Sequence, residues 1–399
     1  MDRKLSRKFL LFSIILFIGA GILLLLARIV DQPLILLFLS KVGLLIGGGG
    51  TVAIWGLRIF FGEDHADALL INLIILGITF IILLIVGEVT VRLVFRNITT
   101  TGDNTSYFAM RWNKRNVNLN SWGFREREFR LTKPDDVYRL AVIGDSFTFG
   151  QGIAEDDRFT NLLEKYLNKK NKGYEVLNFG RPGAETIDHF AILRDVVLKT
   201  NPDFILLQWY INDFEGHDKS GRPKPMPLLP SYTLRTVLYP SSALYYLINQ
   251  QWNSLQETLV FSGRYADYMY KRFGDPKGPE SLKYIQSLKD FIDLCKNQKI
   301  PLGIVLFPDL DPDVGKAYTY NYLHKRVLEI CTQEDITCLD LRSTFAGYTG
   351  YKKLLVNRFD AHPNPLANRL AAERIAETFG QFWLSNGKDS KRQTRVSTE

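Results

Sequence analysis

The chain has 399 residues, of which 46% are hydrophobic and 23% charged, with a formal net charge of +8. Those averages exclude a disordered, collagenous or disulfide-framework protein. The excess charge sits at the two ends, in Arg3, Lys4, Arg7 and Lys8 and in Lys388, Lys391, Arg392 and Arg395. A nucleic-acid partner is not expected, because no basic, aromatic-laced run appears between Arg139 and Leu384. Membrane-flanking charge and a solvated tail account for these ends.

Apolar residues are gathered near the N-terminus. Between Lys8 and Arg28 lie 19 uncharged residues, between Asp67 and Glu88 a further 20, and Pro33 to Trp55 is interrupted only by Lys41. About 20 apolar residues at roughly 1.5 Å rise cross a hydrocarbon core of about 30 Å, so residues 1–96 are expected to be a multi-pass anchor of three transmembrane helices in the cell membrane. The first run is too long for a signal-peptide core. Four basic residues in the first eight place the N-terminus in the cytoplasm, and three crossings deliver the large domain outside. A re-entrant middle segment, with Lys41 and the glycines Gly47 to Gly50, would reverse that orientation. The expected role of the region is anchoring rather than transport, since Lys41 and Asn72 are its conspicuous polar groups.

Residues 97–120, rich in Asn, Thr and Arg, are expected to be a linker. The folded domain is expected over 121–385, and a basic disordered tail over 386–399. Tyr138 to Ile143 is a short apolar run ending at Gly144, followed by helical spacing of Phe159, Leu162, Leu163, Tyr166 and Leu167. The alternation recurs. Strands are expected at Tyr174 to Phe179, Phe204 to Trp209, Leu302 to Phe307 and Thr337 to Leu341, and helices at Ile187 to Leu198, Tyr322 to Cys331 and Leu366 to Phe382. Strands separated by helices predict an α/β fold with a parallel sheet covered on both faces and ligands at the carboxyl ends of its strands. An insert at about 214–280 breaks the pattern with a Pro-rich stretch, Arg222 to Pro230, and then aromatic helical material containing Trp252, Tyr265, Tyr268 and Tyr270; it is either packing or a lid. Cys295, Cys331 and Cys338 show no zinc-ligand spacing; Cys331 and Cys338 are a possible pair in an oxidising compartment, with buried free thiols the simpler expectation.

The chemistry-bearing residues stand just after strands. Gly144-Asp145-Ser146 places a hydroxyl at a strand-to-helix turn, where Asp and Ser are equally at home as helix caps. Asn178-Phe179-Gly180-Arg181-Pro182-Gly183 follows the second strand, and glycine there permits positive φ and an inward backbone N–H. Tyr210-Ile211-Asn212-Asp213 follows the third and adds an amide donor. Phe359-Asp360-Ala361-His362 precedes the last helix and offers a general base with a carboxylate to orient it. His65, in a loop between spans, and His189, His217 and His324 follow no strand-end pattern and are expected to have no role.

In that order the four blocks resemble the SGNH (GDSL) hydrolase family over about Trp122 to Phe382. The resemblance implies a three-layer α/β/α flavodoxin-like domain acting on esters. It also implies Ser146 as nucleophile, His362 as base oriented by Asp360, and an oxyanion hole of the Ser146 and Gly183 N–H groups with the Asn212 side chain. No cofactor and no metal are implied. Asn120-Ser121-Trp122-Gly123-Phe124-Arg125 is similar to a segment that precedes the nucleophile block in many bacterial envelope members. Two departures stand out: Tyr210 occupies a place often held by glycine, and Asp360 lies two rather than three residues before His362. The expected activity is hydrolysis of O-acyl, chiefly acetyl, esters on an envelope glycan, with a lipid ester as second substrate. Acyl transfer to a polysaccharide, or a silent binding module of polysaccharide export, are the alternatives.

Overall fold

The computed structural model describes residues 63–396 apart from 171–172, 216–221, 223–225, 257–263, 311–317 and 349–352. The apolar runs from Lys8 to Arg28 and from Pro33 to Trp55 lie outside the described residues, as does His217. The chain divides into two compact units between Thr90 and Val91.

Among the described residues of the first unit one helix begins, α1, Glu63–Val94. Its stretch Ile74–Val94 is long and apolar enough to cross a membrane. Apolar side chains on all its faces are exposed, among them Ile75, Ile78, Phe80, Ile81 and Leu83, so no protein core explains them. His65, expected in a loop, belongs to this helix.

The second unit opens with α2, Tyr107–Asn116, capped by the Ser106 side chain on the Ala109 N–H. Residues 97–120 were expected to be a linker, yet α2 buries Phe108, Ala109 and Trp112. Three apolar side chains on one helix face are enough to fold a stretch that is otherwise polar. Strand β1, Tyr138–Gly144, is followed by the one-turn α3, Ser146–Phe149, and by α4, Phe159–Lys170. Then come β2, Tyr174–Gly180, α5, Thr186–Asp195, and β3, Phe204–Trp209. The insert folds as α6, Tyr232–Ser241, α7, Ala243–Gln256, and α8, Arg264–Phe273. The alternation resumes with α9, Pro279–Asn297, β4, Leu302–Leu306, α10, Asn321–Gln333, β5, Thr337–Asp340, and the short α11, Arg342–Phe345. A hairpin of β6, Leu355–Asn357, and β7, Asp360–Pro363, leads into α12, Pro365–Val396. The basic tail expected to be disordered from 386 is helical as far as Val396.

The five-stranded sheet has the order β2-β1-β3-β4-β5, and every pairing in it is parallel. Alternate residues of each strand feed opposite layers. Ala141, Ile143, Leu177, Ile205 and Leu207 face a core shared with α5, α9 and α10. Leu140, Val142, Val176, Phe204 and Leu206 face a second core with α4 and α12, through Phe159, Leu163, Ile375 and Phe379. Burial of both faces explains why β1 and β3 read as unbroken apolar runs. This is the three-layer α/β/α flavodoxin-like arrangement. Its order reverses between β1 and β3, and a crevice at the carboxyl ends of those two strands follows from that topology.

Cys331 and Cys338, for which buried free thiols were the simpler expectation, are instead joined by a disulfide between α10 and β5, with Cα atoms 6.2 Å apart. Cys295 is free and buried.

Candidate active site

At the carboxyl end of β1 the chain turns into α3, and Asp145 caps that turn by accepting the Phe147 N–H at 2.8 Å. Ser146 therefore stands at the first helical position, 8% exposed. Gln208, the next-to-last residue of β3, holds the turn from behind: its Oε1 accepts the Asp145 N–H at 3.1 Å and the Thr148 hydroxyl at 2.8 Å. Asn178 completes the brace, donating to the Thr148 carbonyl and to Thr160 Oγ1. Neither Gln208 nor Thr148 was singled out from the sequence. The available signal was a lone amide in an otherwise apolar, doubly buried strand, where an unpaired polar group would be costly.

Gly180, the last residue of β2, lies against the backbone of Thr148 and Phe149, where any Cβ would collide. The close approach draws α3 onto the end of the neighbouring strand. Three residues further, Gly183 has φ +74 with open space around it, so its backbone conformation rather than crowding calls for glycine. After β3, Asn212 lies in a single 3-10 turn, Ile211–Phe214, that Asp213 caps by accepting the Tyr210 N–H at 2.7 Å. Tyr210 is extended at φ −139, a backbone state open to any residue. Its ring instead packs on Phe147, with centroids 4.4 Å apart.

His362 comes from β7. In an extended strand residues two apart share a face, so Asp360 and His362 point the same way. His362 Nδ1 meets Asp360 Oδ1, which also accepts the His362 backbone N–H at 3.0 Å. A carboxylate only accepts, so Nδ1 carries the proton and Nε2 is bare. Nε2 lies 2.7 Å from Ser146 Oγ. Two residues later Asn364 caps α12 through the Ala367 N–H at 3.0 Å, and Asn368 Oδ1 accepts the Phe159 N–H at 3.1 Å. The last helix thus fixes β7 against α4.

Ser146, His362 and Asp360 are therefore brought into one bonded series. Gly183 and Asn212 stand apart from that series, at the ends of the two strands flanking β1. Burial pushes the His362 imidazole down, but the Asp360 charge and hydrogen bond, with Asp145 further off, hold it above its ordinary value. Asp145 is fully buried, and burial together with the nearby Asp213 raises it to about 6. His189, expected to have no role, is fully buried behind this rim, with Nδ1 3.1 Å from Asp213 Oδ1. Its burial lowers the imidazole, yet Asp213 and Asp145 leave it raised overall. Among the described residues no group of three or more His, Cys, Asp or Glu gathers as metal ligands would.

Upstream, the Asn120 to Arg125 segment is wrapped on this framework. Asn120 Oδ1 accepts the N–H groups of Trp122 and Phe124 at 3.0 and 3.1 Å. The buried Arg125 donates to the carbonyls of Gly150 at 2.7 Å and Ile153 at 3.0 Å, tying down the loop that follows α3.

A flavodoxin-like sheet with hydroxyl, imidazole and carboxylate in series at its strand ends defines the SGNH class of hydrolases. The GDSL-like lipase/acylhydrolase family model matches residues 142–370, and the chain belongs to that family. It is an ester hydrolase. Solved structures similar to it include the acetyl xylan esterase AlAXEase, 17% identical, covering 60% of this chain and 98% of that one at a TM-score of 0.38. A catalytic mutant of Axe2, an acetylxylan esterase from Geobacillus stearothermophilus, is 14% identical over 62% and 95%, at 0.41. A member of the lipolytic G-D-S-L family from Veillonella parvula is 16% identical over 61% and 99%, at 0.37. No curated protein matches the chain.

Proposed function

We propose that the chain is a membrane-anchored serine esterase that removes acetyl groups from an envelope glycan, with Ser146 as nucleophile, His362 as base and Asp360 as its orienting acid. The observation that carries this reading is the 2.7 Å separation of Ser146 Oγ and His362 Nε2, with Asp360 on the far nitrogen. His362 takes the Ser146 proton as Oγ attacks the ester carbonyl. The oxyanion is received by the Ser146 N–H, the Gly183 N–H and the Asn212 amide, three donors with no acceptor among the described residues. Collapse breaks the bond to the sugar oxygen, which takes the proton from His362 and leaves as a hydroxyl, and a water repeats the sequence to release acetate.

The apolar stretch Ile74–Val94 supports an anchor. Taken with the two apolar runs that precede it in the sequence, a multi-pass arrangement with the hydrolase domain outside the cytoplasm is part of this proposal. The Cys331–Cys338 disulfide fits an oxidising compartment of that kind.

The test is phosphonate labelling of the detergent-solubilised full chain beside acetate release from p-nitrophenyl acetate. The wild type labels and turns over, and Ser146→Ala does neither. A wild type that neither labels nor turns over would overturn the reading. Asn212→Ala is expected to lower kcat about 10²- to 10³-fold with labelling slowed, as loss of one oxyanion donor does.

A further inference from the structure

The apolar stretch Ile74–Val94 ends inside the second unit, whose first residue is Val91. Its last turn is packed there. Val91, with Phe95 and Ile98, joins a small core of Phe108, Ala243 and Tyr246. Arg92 donates from Nη2 to the Ser241 carbonyl at 2.9 Å, and its guanidinium lies 4.5 Å from the centre of the Tyr107 ring. Helices α2, α6 and α7 are therefore gathered where the apolar stretch stops, which for a membrane-crossing helix is the headgroup layer.

Between those three helices lies a cavity of about 580 Å³, within the roughly 300–1,000 Å³ of ligand sites. None of Ser146, Asp360 and His362 lines it. Met110, Pro227, Pro240 and the rings of Tyr232, Tyr239 and Tyr245 make its described walls mainly apolar. Two of these side chains face outward, Met110 being 48% and Tyr232 72% exposed. Met226, beside Pro227, is also exposed, although its backbone is pinned to α7: its N–H donates to Gln256 Oε1 and its carbonyl accepts from Trp252 Nε1, each at 2.8 Å. A thioether held out on a fixed backbone is standing apolar surface of the kind that meets a partner or a membrane. Arg235 is the one charged side chain in the described walls. Its Nη1 reaches the Leu229 carbonyl only at 3.4 Å, and among the described residues no carboxylate pairs with it.

Apolar walls, tyrosine rings and one arginine at the end of a span correspond to the two ends of a phospholipid. An acyl chain buries area and asks for no hydrogen bond. Tyrosine suits the boundary, because its ring is apolar and its hydroxyl wet. A guanidinium fork matches the oxygens of a phosphate. We propose that this cavity holds an anionic phospholipid of the leaflet in which α1 ends, with an acyl chain against Met110, the prolines and the tyrosine rings and the phosphate on Arg235. The insert then serves as a foot on the membrane rather than as a lid over Ser146. The proposal deepens the anchor reading and rests on it, and it is independent of which ester is cleaved.

The experiment is photolabelling of the full chain in phosphatidylcholine liposomes, with the probe either phosphatidylglycerol or phosphatidylcholine carrying a diazirine in its acyl chain, and with adducts mapped to peptides by mass spectrometry. The phosphatidylglycerol probe is expected to label the α2 and α6 peptides, at Met110 and Tyr232, about tenfold more than the phosphatidylcholine probe does. Arg235→Ala is expected to abolish that preference, and excess free glycerol phosphate to leave the labelling unchanged. Tyr232→Asp sets a carboxylate against the lipid and is expected to cut labelling of the α2 peptide. Its exposed site leaves folding intact and keeps the test decisive if Arg235→Ala melts early. Equal labelling by the two probes, labelling indifferent to both variants, or labelling lost to glycerol phosphate would overturn the proposal. Adducts on Ile74–Val94 report the anchor by themselves. Their absence would sink the anchor reading, whereas their presence without adducts on α2 and α6 would overturn the lipid site alone.

Discussion

His362 and His324 are the same chemical pair placed in two surroundings. Each has its Nδ1 on an aspartate oxygen, Asp360 for His362 and Asp340, at 3.1 Å, for His324. The counter-charge of Asp340 is shared, because Arg342 also grips it through Nε at 2.8 Å. Sharing leaves too little to offset desolvation, and burial drives the His324 imidazole below its ordinary value. The hydrogen bonds from His324 and Arg342 outweigh burial at Asp340 and take it down to about 2. Around the other nitrogen, His324 meets the Tyr318 hydroxyl at 3.4 Å and lies between the rings of Trp209 and Tyr318. Among the described residues no arginine pairs with Asp360, and His362 Nε2 faces a serine hydroxyl. An unshared carboxylate on one nitrogen and a hydroxyl on the other suit the base that we propose; a shared carboxylate and sealed rings make a brace between α10 and β5. His189 with Asp213 is a third such pair, fully buried.

The sharpest way to break this comparison is Asp360→Asn. Loss of the orienting charge is expected to lower kcat/KM by about 10³- to 10⁴-fold. The base must be neutral to act, so wild-type activity rises with pH through a His362 value above the ordinary 6.5. In the variant the charge that raises His362 is gone and the burial that lowers it remains, so the acid limb of the residual activity moves to lower pH. A limb that stays in place would show that Asp360 does not tune this imidazole.

Asp340→Asn addresses the brace. A carboxyl held at about 2 against 3.8 in the unfolded chain contributes about 2 kcal/mol, fully present above pH 4 and lost as pH falls through 2. The variant is expected to melt earlier than the wild type at pH 7, with the difference closing toward pH 2, and to keep its kcat. A large fall in kcat would erase the distinction between the two pairs.

The smallest expected effect belongs to Asp145→Asn. The amide still caps α3 through its oxygen, while the negative charge that helps to raise His362 disappears. The acid limb should move to lower pH by under about one unit and by less than in Asp360→Asn. A shift to higher pH would mean that Asp145 acts on the site through structure rather than charge.

Much of the molecule is legible along the chain because its causes are local. Two-sided burial writes β1 and β3 as apolar runs, the 3.6-residue period writes α4, and the strand ends locate Ser146, Gly183 and Asn212 without any knowledge of contacts. Even the two-residue spacing of Asp360 and His362 has a local reason, since β7 is extended and puts both on one face. The hairpin that holds β7, the helix inside residues 97–120 and the helical course of the tail to Val396 were less visible. A few apolar side chains or one cross-strand pairing decide each of them, against a polar composition.

Pairing between distant residues was settled only in three dimensions. Gln208 looks like a blemish in an apolar strand until the β1–α3 turn arrives to use its oxygen. Nothing in the spacing of Cys331 and Cys338 distinguishes a bridge from two thiols until α10 and β5 bring their Cα atoms within 6.2 Å. His189, His324 and His362 read alike as letters. They differ because packing brings a buried aspartate to one, an arginine-shared aspartate to another, and a serine 216 residues away to the third. Periodicity and backbone chemistry act over a few residues and are written in the chain, whereas the partner of a polar side chain is chosen by which surfaces the two hydrophobic cores press together.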